Sequence, residues 1–383
     1  MKAKVTIDIV KRALENPVST WLDYTPRNVP IVIYDDDEFI FINHPNPPSD
    51  RPNQLTAATA LEINGYLTAT IPLAMCNDKQ SLIPLVYHEC FHVYQGQKFQ
   101  FDGEYNFFEV PAFYPELNPT YRALCSAETD VLNNNTLSPL EKSKVLSGLI
   151  RKRHGILAQH EGLLDFEKNL EMNEGAASFV EQKAKAALFN ISPDNSMCYY
   201  GYSRQYFMGA AICWLLEQTY STSKWQELVE CGKSLSELLL QIAPQEQTDW
   251  TMLDIANKEK LEKQDVERIL FEANRKIENL LNNGAVTIRL SGKTQIFRSF
   301  SPRSIIALGD GRLIHPEFVT IQTPNGQISI QDEMTLENYT DGTVVFHAAT
   351  PEIVNNKLDM HSENVQISLE QVRQLPNGII EFL

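Results

Sequence analysis

The segment Leu85–Gln95 contains the pattern His-Glu-x-x-His, formed by His88, Glu89 and His92. On a helix, residues four apart lie on one face, so the two imidazoles can bind one metal ion together. Glu89 follows the first histidine and would face the open coordination position, where it can take a proton from a metal-bound water. These residue types at this spacing are typical of zinc-dependent hydrolases.

The surroundings of this pattern bear on whether it arose by chance on a surface helix, which is the alternative interpretation. Apolar residues flank both histidines, namely Leu85, Val86, Phe91 and Val93. They predict a helix that is buried on most sides. Because burial of unpaired polar groups is costly, two histidines and a glutamate on such a helix favour a bound metal.

A catalytic zinc site needs a third protein ligand and leaves its fourth position to water. The best candidate is Glu174, in the helical segment 171–181. Its neighbours Gly175 and Ala176 are small and would allow this helix to approach the His-Glu helix closely. The other candidates for the third ligand are Glu128, Glu167, Glu171 and His160.

The elements that would position these residues predict an α+β protein. An Asn64-Gly65 turn predicts a hairpin, and the strand that follows ends at Pro72, which favours a sheet edge. A helix that Asn77-Asp78 can cap, with Pro84 early in it, carries the motif and should end near Gly96. Helical patterns then cover most of the chain from 121 to 282. The predicted later helices are Arg122–Asn133, Leu140–Leu188, Met197–Tyr220, Trp225–Ile242 and Lys260–Asn282.

From about residue 284 the pattern changes to period-two alternation with Asn-Gly and Asp-Gly turns, which predicts strands and hairpins. We therefore expect a first domain over 1–283 and a small all-β domain over 284–383. Within the first domain, residues 1–96 would form the sheet and metal helix, and 97–283 a helical subdomain. No residue pattern in the last hundred positions indicates chemistry of its own.

The composition excludes some partners. The 383 residues include 49 acidic and 33 basic side chains, a formal net charge of −16. An acidic chain without a basic cluster argues against nucleic acid or an anionic membrane as a partner. Neither a signal peptide nor a membrane span is indicated, and the six cysteines are scattered. A cytoplasmic location is the expectation, and the oligomeric state stays open.

At this point the chain resembles a known family. His88-Glu89-x-x-His92, followed by Asn173-Glu174 on a later helix, resembles the gluzincin metallopeptidases. The resemblance covers roughly residues 60–220 and implies a zincin-like catalytic region. It also implies Zn²⁺ bound by the two histidines and Glu174, with Glu89 as the catalytic base.

Two further motifs carry the resemblance. The segment 174–181 has the form Glu-Gly-x-Ala-x-x-x-Glu, similar to uncharacterised bacterial gluzincin-like families. Tyr206-x-x-Gly209 is similar to the Tyr-x-x-Gly of aminopeptidase-N types, which implies that the Tyr206 hydroxyl stabilises the oxyanion. Arg204 is a candidate for binding a substrate carboxylate. The neighbouring tyrosines that can serve instead are Tyr199, Tyr200 and Tyr202.

The chain also departs from the family pattern. The aminopeptidase-N type has a Gly-x-Met-Glu-Asn edge motif, whereas positions 64–69 here are Asn-Gly-Tyr-Leu-Thr-Ala. Aminopeptidase specificity is therefore not indicated. Ser178 stands where many gluzincins place an aspartate that orients a histidine, so Glu181 or Glu128 is left for that role.

Two hypotheses of different classes follow. The first is a zinc metallohydrolase, most simply a peptidase acting on a peptide or protein, with a non-peptide amide or ester as a weaker substrate option. The second is a non-catalytic zincin-fold module whose β domain contacts a partner protein. The intact Glu89 favours the enzyme, because a structural metal site does not need a base beside the metal.

Overall fold

The computed structural model describes residues 3–52, 54–55, 57–101, 103, 109–193, 200–201, 203–220, 222–242, 253–290, 297–301 and 304–382. Within these residues the chain is α+β, as predicted, with a C-terminal all-β region. The helices are α1 (Ala3–Glu15), α2 (Lys79–Lys98), α3 (Pro119–Asn133), α4 (Pro139–Leu157), α5 (Leu163–Leu170), α6 (Ala176–Phe189), α7 (Arg204–Thr219), α8 (Lys224–Glu230), α9 (Leu235–Ile242) and α10 (Ile255–Asn282).

The strands fall into an N-terminal and a C-terminal group. The N-terminal strands are β1 (Ile31–Tyr34), β2 (Phe39–Ile42), β3 (Thr59–Ile63) and β4 (Tyr66–Pro72). The C-terminal strands are β5 (Ala285–Arg289), β6 (Phe297–Phe300), β7 (Ile306–Ala307), β8 (Arg312–His315), β9 (Phe318–Thr323), β10 (Gly326–Gln331), β11 (Thr335–Asn338), β12 (Thr343–His347), β13 (Ile353–Val354), β14 (Lys357–His361), β15 (Val365–Glu370), β16 (Val372–Gln374) and β17 (Ile380–Phe382).

The N-terminal sheet has the order β2-β1-β4-β3, with β1 and β4 parallel. Asn64 and Gly65 make the turn between β3 and β4 with φ values of 46° and 83°, as an Asn-Gly hairpin requires. The prediction that the strand ending at Pro72 lies at the sheet edge is wrong, because β4 pairs with β1 on one side and β3 on the other. The edge strand on this side is β3.

Helix α2 lies against this sheet. Its first turn is fixed by Asp78, whose carboxylate accepts hydrogen bonds from the backbone of Gln80 and Ser81 at 2.9 and 2.8 Å, while the Ser81 hydroxyl accepts one from the Asp78 N–H. This is a capping box. The apolar residues of α2 share one core with Ile31, Ile33 and Ile71 of the sheet, which leaves the polar residues of the helix to face α6 and its neighbours.

The predicted helix over 140–188 is interrupted twice. Helix α4 ends at Leu157, and α5 begins directly after Gly162. The φ of 79° at Gly162 is a conformation that glycine adopts without steric cost. A π-helical turn, Glu171–Gly175, then separates α5 from α6. The predicted helix over 225–242 is likewise divided into α8 and α9 at Gly232, with φ 90°. Residues 197–199 of the predicted helix 197–220 lie outside the described residues.

The C-terminal strands form a six-stranded sheet, β13-β14-β15-β10-β9-β6, and a seven-stranded sheet, β16-β17-β5-β12-β11-β8-β7. Their alternating apolar residues make a second core, as the period-two pattern predicts. Helix α10 packs against the seven-stranded sheet through Ala273, Ile277 and Leu280. Across the described part of the chain, every helix is too short or too polar to cross a membrane.

Candidate metal centre

The three expected ligands meet at one point between α2 and the π-helical turn. Glu174 Oε2 lies 3.5 Å from His88 Nε2 and 3.4 Å from His92 Nε2. Ligand atoms that bind a tetrahedral zinc ion at about 2.1 Å stand roughly 3.4 Å apart. The spacing of these donor atoms therefore fits one such ion, and the donor set of two imidazoles and a carboxylate is one that zinc accepts.

The π-helical turn explains how Glu171 and Glu174, three positions apart, serve different parts of the protein. On an α-helix residues three apart share a face, but the wider π-turn rotates them away from each other. Glu174 faces α2, whereas Glu171 Oε2 accepts a hydrogen bond from the backbone N–H of Ser236, at the start of α9, at 3.1 Å. The extra residue of the turn therefore frees Glu174 for the metal centre.

Each histidine has a partner on its other ring nitrogen. His88 Nδ1 lies 3.0 Å from Glu181 Oε2, so of the two candidates for this role the structure places Glu181 here. The carboxylate accepts a hydrogen bond from Nδ1–H, which orients the ring and leaves Nε2 of the neutral imidazole as the nitrogen that can bind a metal. Glu128 lies elsewhere, as described below.

The partner of His92 is Gln95, which the sequence analysis missed. Gln95 Oε1 lies 2.7 Å from His92 Nδ1. Its Nε2 donates to the carbonyls of Met172 and Asn173, at 2.9 and 2.8 Å. Because two carbonyls fix which end of the amide is the donor, Oε1 must accept from the Nδ1–H of His92. In the neutral imidazole this leaves Nε2 as the nitrogen that can bind a metal. Its position three residues after His92, on the same helix face, was the available signal.

Glu89 is buried, with 4% of its surface exposed. Its Oε2 makes no hydrogen bond within the described residues. Burial raises the pKa of Glu89, although the two nearby histidines partly oppose this. A carboxylate that is buried, unpaired on one oxygen and next to a metal ligand is suited to exchange a proton with a bound molecule.

The carboxylates of the centre outnumber its imidazoles, and this excess of negative charge shifts the pKa values of the group. Burial alone would raise the pKa of Glu174, but attraction to His92 and hydrogen bonds with both histidines hold that pKa far below its usual range. Burial would lower the pKa of His88, but Glu174 and Glu181 raise it instead. The carboxylates of Glu89, Glu174 and Glu181 thus surround two imidazoles. A divalent cation would compensate their excess negative charge.

Tyr206 lies beside this group. Its ring is parallel to that of His88, with an interplanar angle of 9° and 6.3 Å between centroids. Gly209, in the same motif, contacts Gly175: a Cβ on either glycine would stand 2.6 Å from the Cα of the other. The helix that follows Glu174 does pack closely on the His-Glu helix, as expected, since α6 lies against α2. Gly175 itself, however, makes its close approach to α7, the helix that carries Tyr206.

Arg204 does not face the metal centre, so the expectation that it binds a substrate carboxylate is wrong. It is 3% exposed and its guanidinium donates to Glu128 Oε2. Glu128 Oε1 accepts from Arg153 Nε at 3.0 Å, and Arg153 also binds Glu167. This buried ion-pair network holds the start of α7 against α3 and α4, and it places Glu128 and Glu167 away from the two histidines.

The remaining candidates also lie elsewhere. Tyr200 donates to Glu262 at 2.8 Å, and its ring covers the guanidinium of Arg122 at 3.8 Å. His160 stacks on Phe113 with 4.3 Å between ring centroids. Tyr199 and Tyr202 lie outside the described residues.

A second group, His154, Glu167 and Glu171, also brings possible ligand atoms within 4.8 Å of one another. Here the cation is already present, because Arg153 binds Glu167 Oε1 and the Tyr114 hydroxyl donates to Oε2. Burial, together with the charge of Arg153, lowers the pKa of His154 to about 4. We therefore interpret this group as part of the structural ion-pair network.

Comparison of the chain with models of protein families, with curated proteins and with solved structures yields no significant match.

Proposed function

We propose that this protein is a zinc-dependent metallohydrolase of the gluzincin type and that it cleaves peptide bonds. One observation carries the proposal: Glu174 Oε2 lies 3.5 and 3.4 Å from His88 Nε2 and His92 Nε2, as in a tetrahedral site. The adjacent residue Glu89 is buried and, within the described residues, has one oxygen without a hydrogen bond. The helix–sheet arrangement of α2 on a four-stranded sheet with an antiparallel edge strand supports a zincin-like fold.

The residues divide the chemistry between them. Zn²⁺ held by the three ligands would supply a Lewis acid for water and for the substrate carbonyl. Glu89 takes a proton from the attacking water and returns it to the leaving amine, and its raised pKa suits both transfers. Tyr206, whose ring lies alongside His88, donates a hydrogen bond to the oxyanion that develops on the substrate.

The free edge of the N-terminal sheet favours an extended substrate. β3 is the last strand in the order β2-β1-β4-β3. It is also in contact with α2, the helix that carries the two histidines. A peptide can add to such an edge through main-chain hydrogen bonds. This supports a peptide or protein as the substrate over a small ester or amide.

The test separates metal binding from hydrolysis. Glu89→Gln should retain zinc, measured by mass spectrometry of the metal, and lose hydrolysis of a mixed peptide library. Glu363→Gln, at an exposed position of the C-terminal β region, is the matched control and should keep both. Full activity of Glu89→Gln would sink the mechanism. Glu174→Gln should lower zinc content, and unchanged stoichiometry there would show that another residue is the third ligand.

The alternative, a non-catalytic module that contacts a partner protein, predicts a different outcome. It requires that the wild-type protein, loaded with zinc, cleaves none of the peptides, and that adding a chelator makes no difference to this peptide assay. The unpaired oxygen of Glu89 weighs against this alternative. A buried carboxylate oxygen without a partner lowers the stability of the fold, and a structural metal site does not require such a group.

A further inference from the structure

A second cavity lies far along the chain from the metal ligands, between α10, the seven-stranded sheet and residues 116–117. Its volume is about 510 Å³. The apolar part of its wall includes Leu117, Ile269, Ala273, Leu280, Ile314 and Met334. Cavities of 300–1,000 Å³ with mainly apolar walls and a few polar groups, at the junction of two structural units, are typical small-molecule sites.

One charged group of this cavity is Glu116. Its carboxylate packs against Gly201, where a Cβ would stand 2.6 Å from Oε2. Among the described residues, Oε2 accepts one long hydrogen bond, 3.4 Å from the N–H of Ala307. Arg122, whose charge acts on Glu116, is already bound to Glu262 and Asp265 at 2.6 and 2.7 Å. Burial accordingly raises the pKa of Glu116 to about 7.

Two basic side chains, Lys276 and His347, line the same cavity. Lys276 is exposed and, within the described residues, makes no ion pair with a carboxylate; His347 is half-buried at the end of β12. The other acidic residue here, Glu272, already binds Arg268 at 3.4 Å. The cavity therefore combines a buried carboxyl group, an exposed ammonium without an ion pair among the described residues, and an apolar wall.

We propose that this cavity binds a short apolar peptide with free termini, or an apolar amino acid. The ligand's ammonium would pair with Glu116, its carboxylate with Lys276 and His347, and its side chains would cover the apolar wall. A fatty acid would leave the buried Glu116 without a cation, and a simple amine would gain nothing from Lys276. Charge complementarity at both ends therefore favours a zwitterion. This inference does not depend on the proposed hydrolysis.

The experiment uses Met334 as a local reporter. The protein carries ¹³C-methyl methionine, and Met334→Leu assigns its signal. All titrations use the Glu89→Gln background, so that a dipeptide is not consumed if the proposed hydrolysis is real. Leu-Leu should shift the Met334 signal in a saturable manner. N-acetyl-Leu-Leu and Leu-Leu amide should each bind about tenfold more weakly, since each loses one charge-assisted contact.

Two variants assign the ends of the ligand. Glu116→Gln should abolish the preference for the free amine, so that Leu-Leu and its N-acetyl form bind alike. Lys276→Met should reduce the preference for the free carboxylate. Lys263→Met, which changes an exposed lysine of α10 outside the cavity, should change neither preference.

Three outcomes would overturn the proposal. The Met334 signal might stay unmoved by millimolar Leu-Leu, or the blocked peptides might bind as tightly as the free one, which would indicate a merely apolar site. The third is that both charge variants keep the wild-type order of affinities. Thermal unfolding of each variant checks that the cavity is intact, and Met334 reports only on this site, so binding at the metal centre does not affect the result.

Discussion

Gly175 and Gly209 are in direct backbone contact, each leaving room for the Cα of the other. One follows Glu174 and the other ends the Tyr-x-x-Gly motif of Tyr206. The two motifs are therefore the two sides of a single close helix crossing. Each glycine allows the other helix to bring its functional side chain to the centre.

Gly209→Ala should push α7 away from the π-helical turn. Overpacking of this kind costs about 1–3 kcal/mol of unfolding free energy, and we expect weaker zinc binding because Glu174 lies on that turn. Denaturant unfolding and metal titration measure the two effects. Gly155→Ala is the control: a Cβ there meets nothing within 4 Å, so stability should stay the same or rise slightly. Equal stability and affinity of both variants would contradict the crossing as described.

Gln95→Met should weaken zinc binding by roughly 10- to 100-fold. The methionine fills the same space but neither accepts from His92 nor holds the carbonyls of the π-helical turn. Gln95→Glu keeps the acceptor for His92 but directs a carboxylate at two carbonyl oxygens, so it should lose more stability than Gln95→Met does. Metal affinity and thermal unfolding distinguish the two roles. Wild-type zinc affinity in Gln95→Met would show that His92 needs no such partner.

Arg204→Met should destabilise the protein by about 3 kcal/mol or more, because it leaves the buried Glu128 with one cation instead of two. Adding Glu128→Gln should recover part of the loss. Peptide KM should hardly change in protein that is still folded. A large rise in KM without a loss of stability would instead restore Arg204 as a substrate-binding residue.

His154 should make stability fall in mild acid. Its side chain is 12% exposed and its pKa in the folded protein is about 4, compared with about 6.5 when unfolded. Since the folded pKa is the lower one, the stabilisation is complete above pH 6.5 and is lost as the pH falls towards 4. Between pH 7.5 and 5 the loss is about 2 kcal/mol.

The check is the pH dependence of unfolding in His154→Gln. Buried acids with raised pKa values, such as Glu116, act in the opposite direction, so the comparison must be the difference between variant and wild type. That difference should shrink by about 2 kcal/mol from pH 7.5 to 5. A parallel profile for the two proteins would mean that His154 titrates normally.

The three candidate ligands could be predicted from the sequence because their determinants are local. Helical spacing joins His88 to His92, and the coordination chemistry of zinc asks for one more donor. Glu174 was selected by its motif, and the structure places its carboxylate 3.4 Å from His92. The α+β class followed from periodicity in the same local way.

The features that sequence patterns did not reveal depend on distant partners. Arginine is usually a surface residue, and Arg204 is buried here because it forms an ion pair with Glu128 of α3. The π-helical turn has no periodic signature, because one inserted residue leaves the apolar pattern on both sides intact. The edge strand was misassigned because strand order is decided by pairing across the chain, here β4 with β1.

The pairing of β17 with β5 has a consequence for the order of folding. Ile380 lies beside Ile288 in a parallel pair, so the first strand of the C-terminal region gains one of its neighbours only when residues 380–382 arrive. A contact across so many residues forms slowly. During synthesis the candidate metal centre, whose residues lie between 88 and 206, can thus assemble before the seven-stranded sheet is complete.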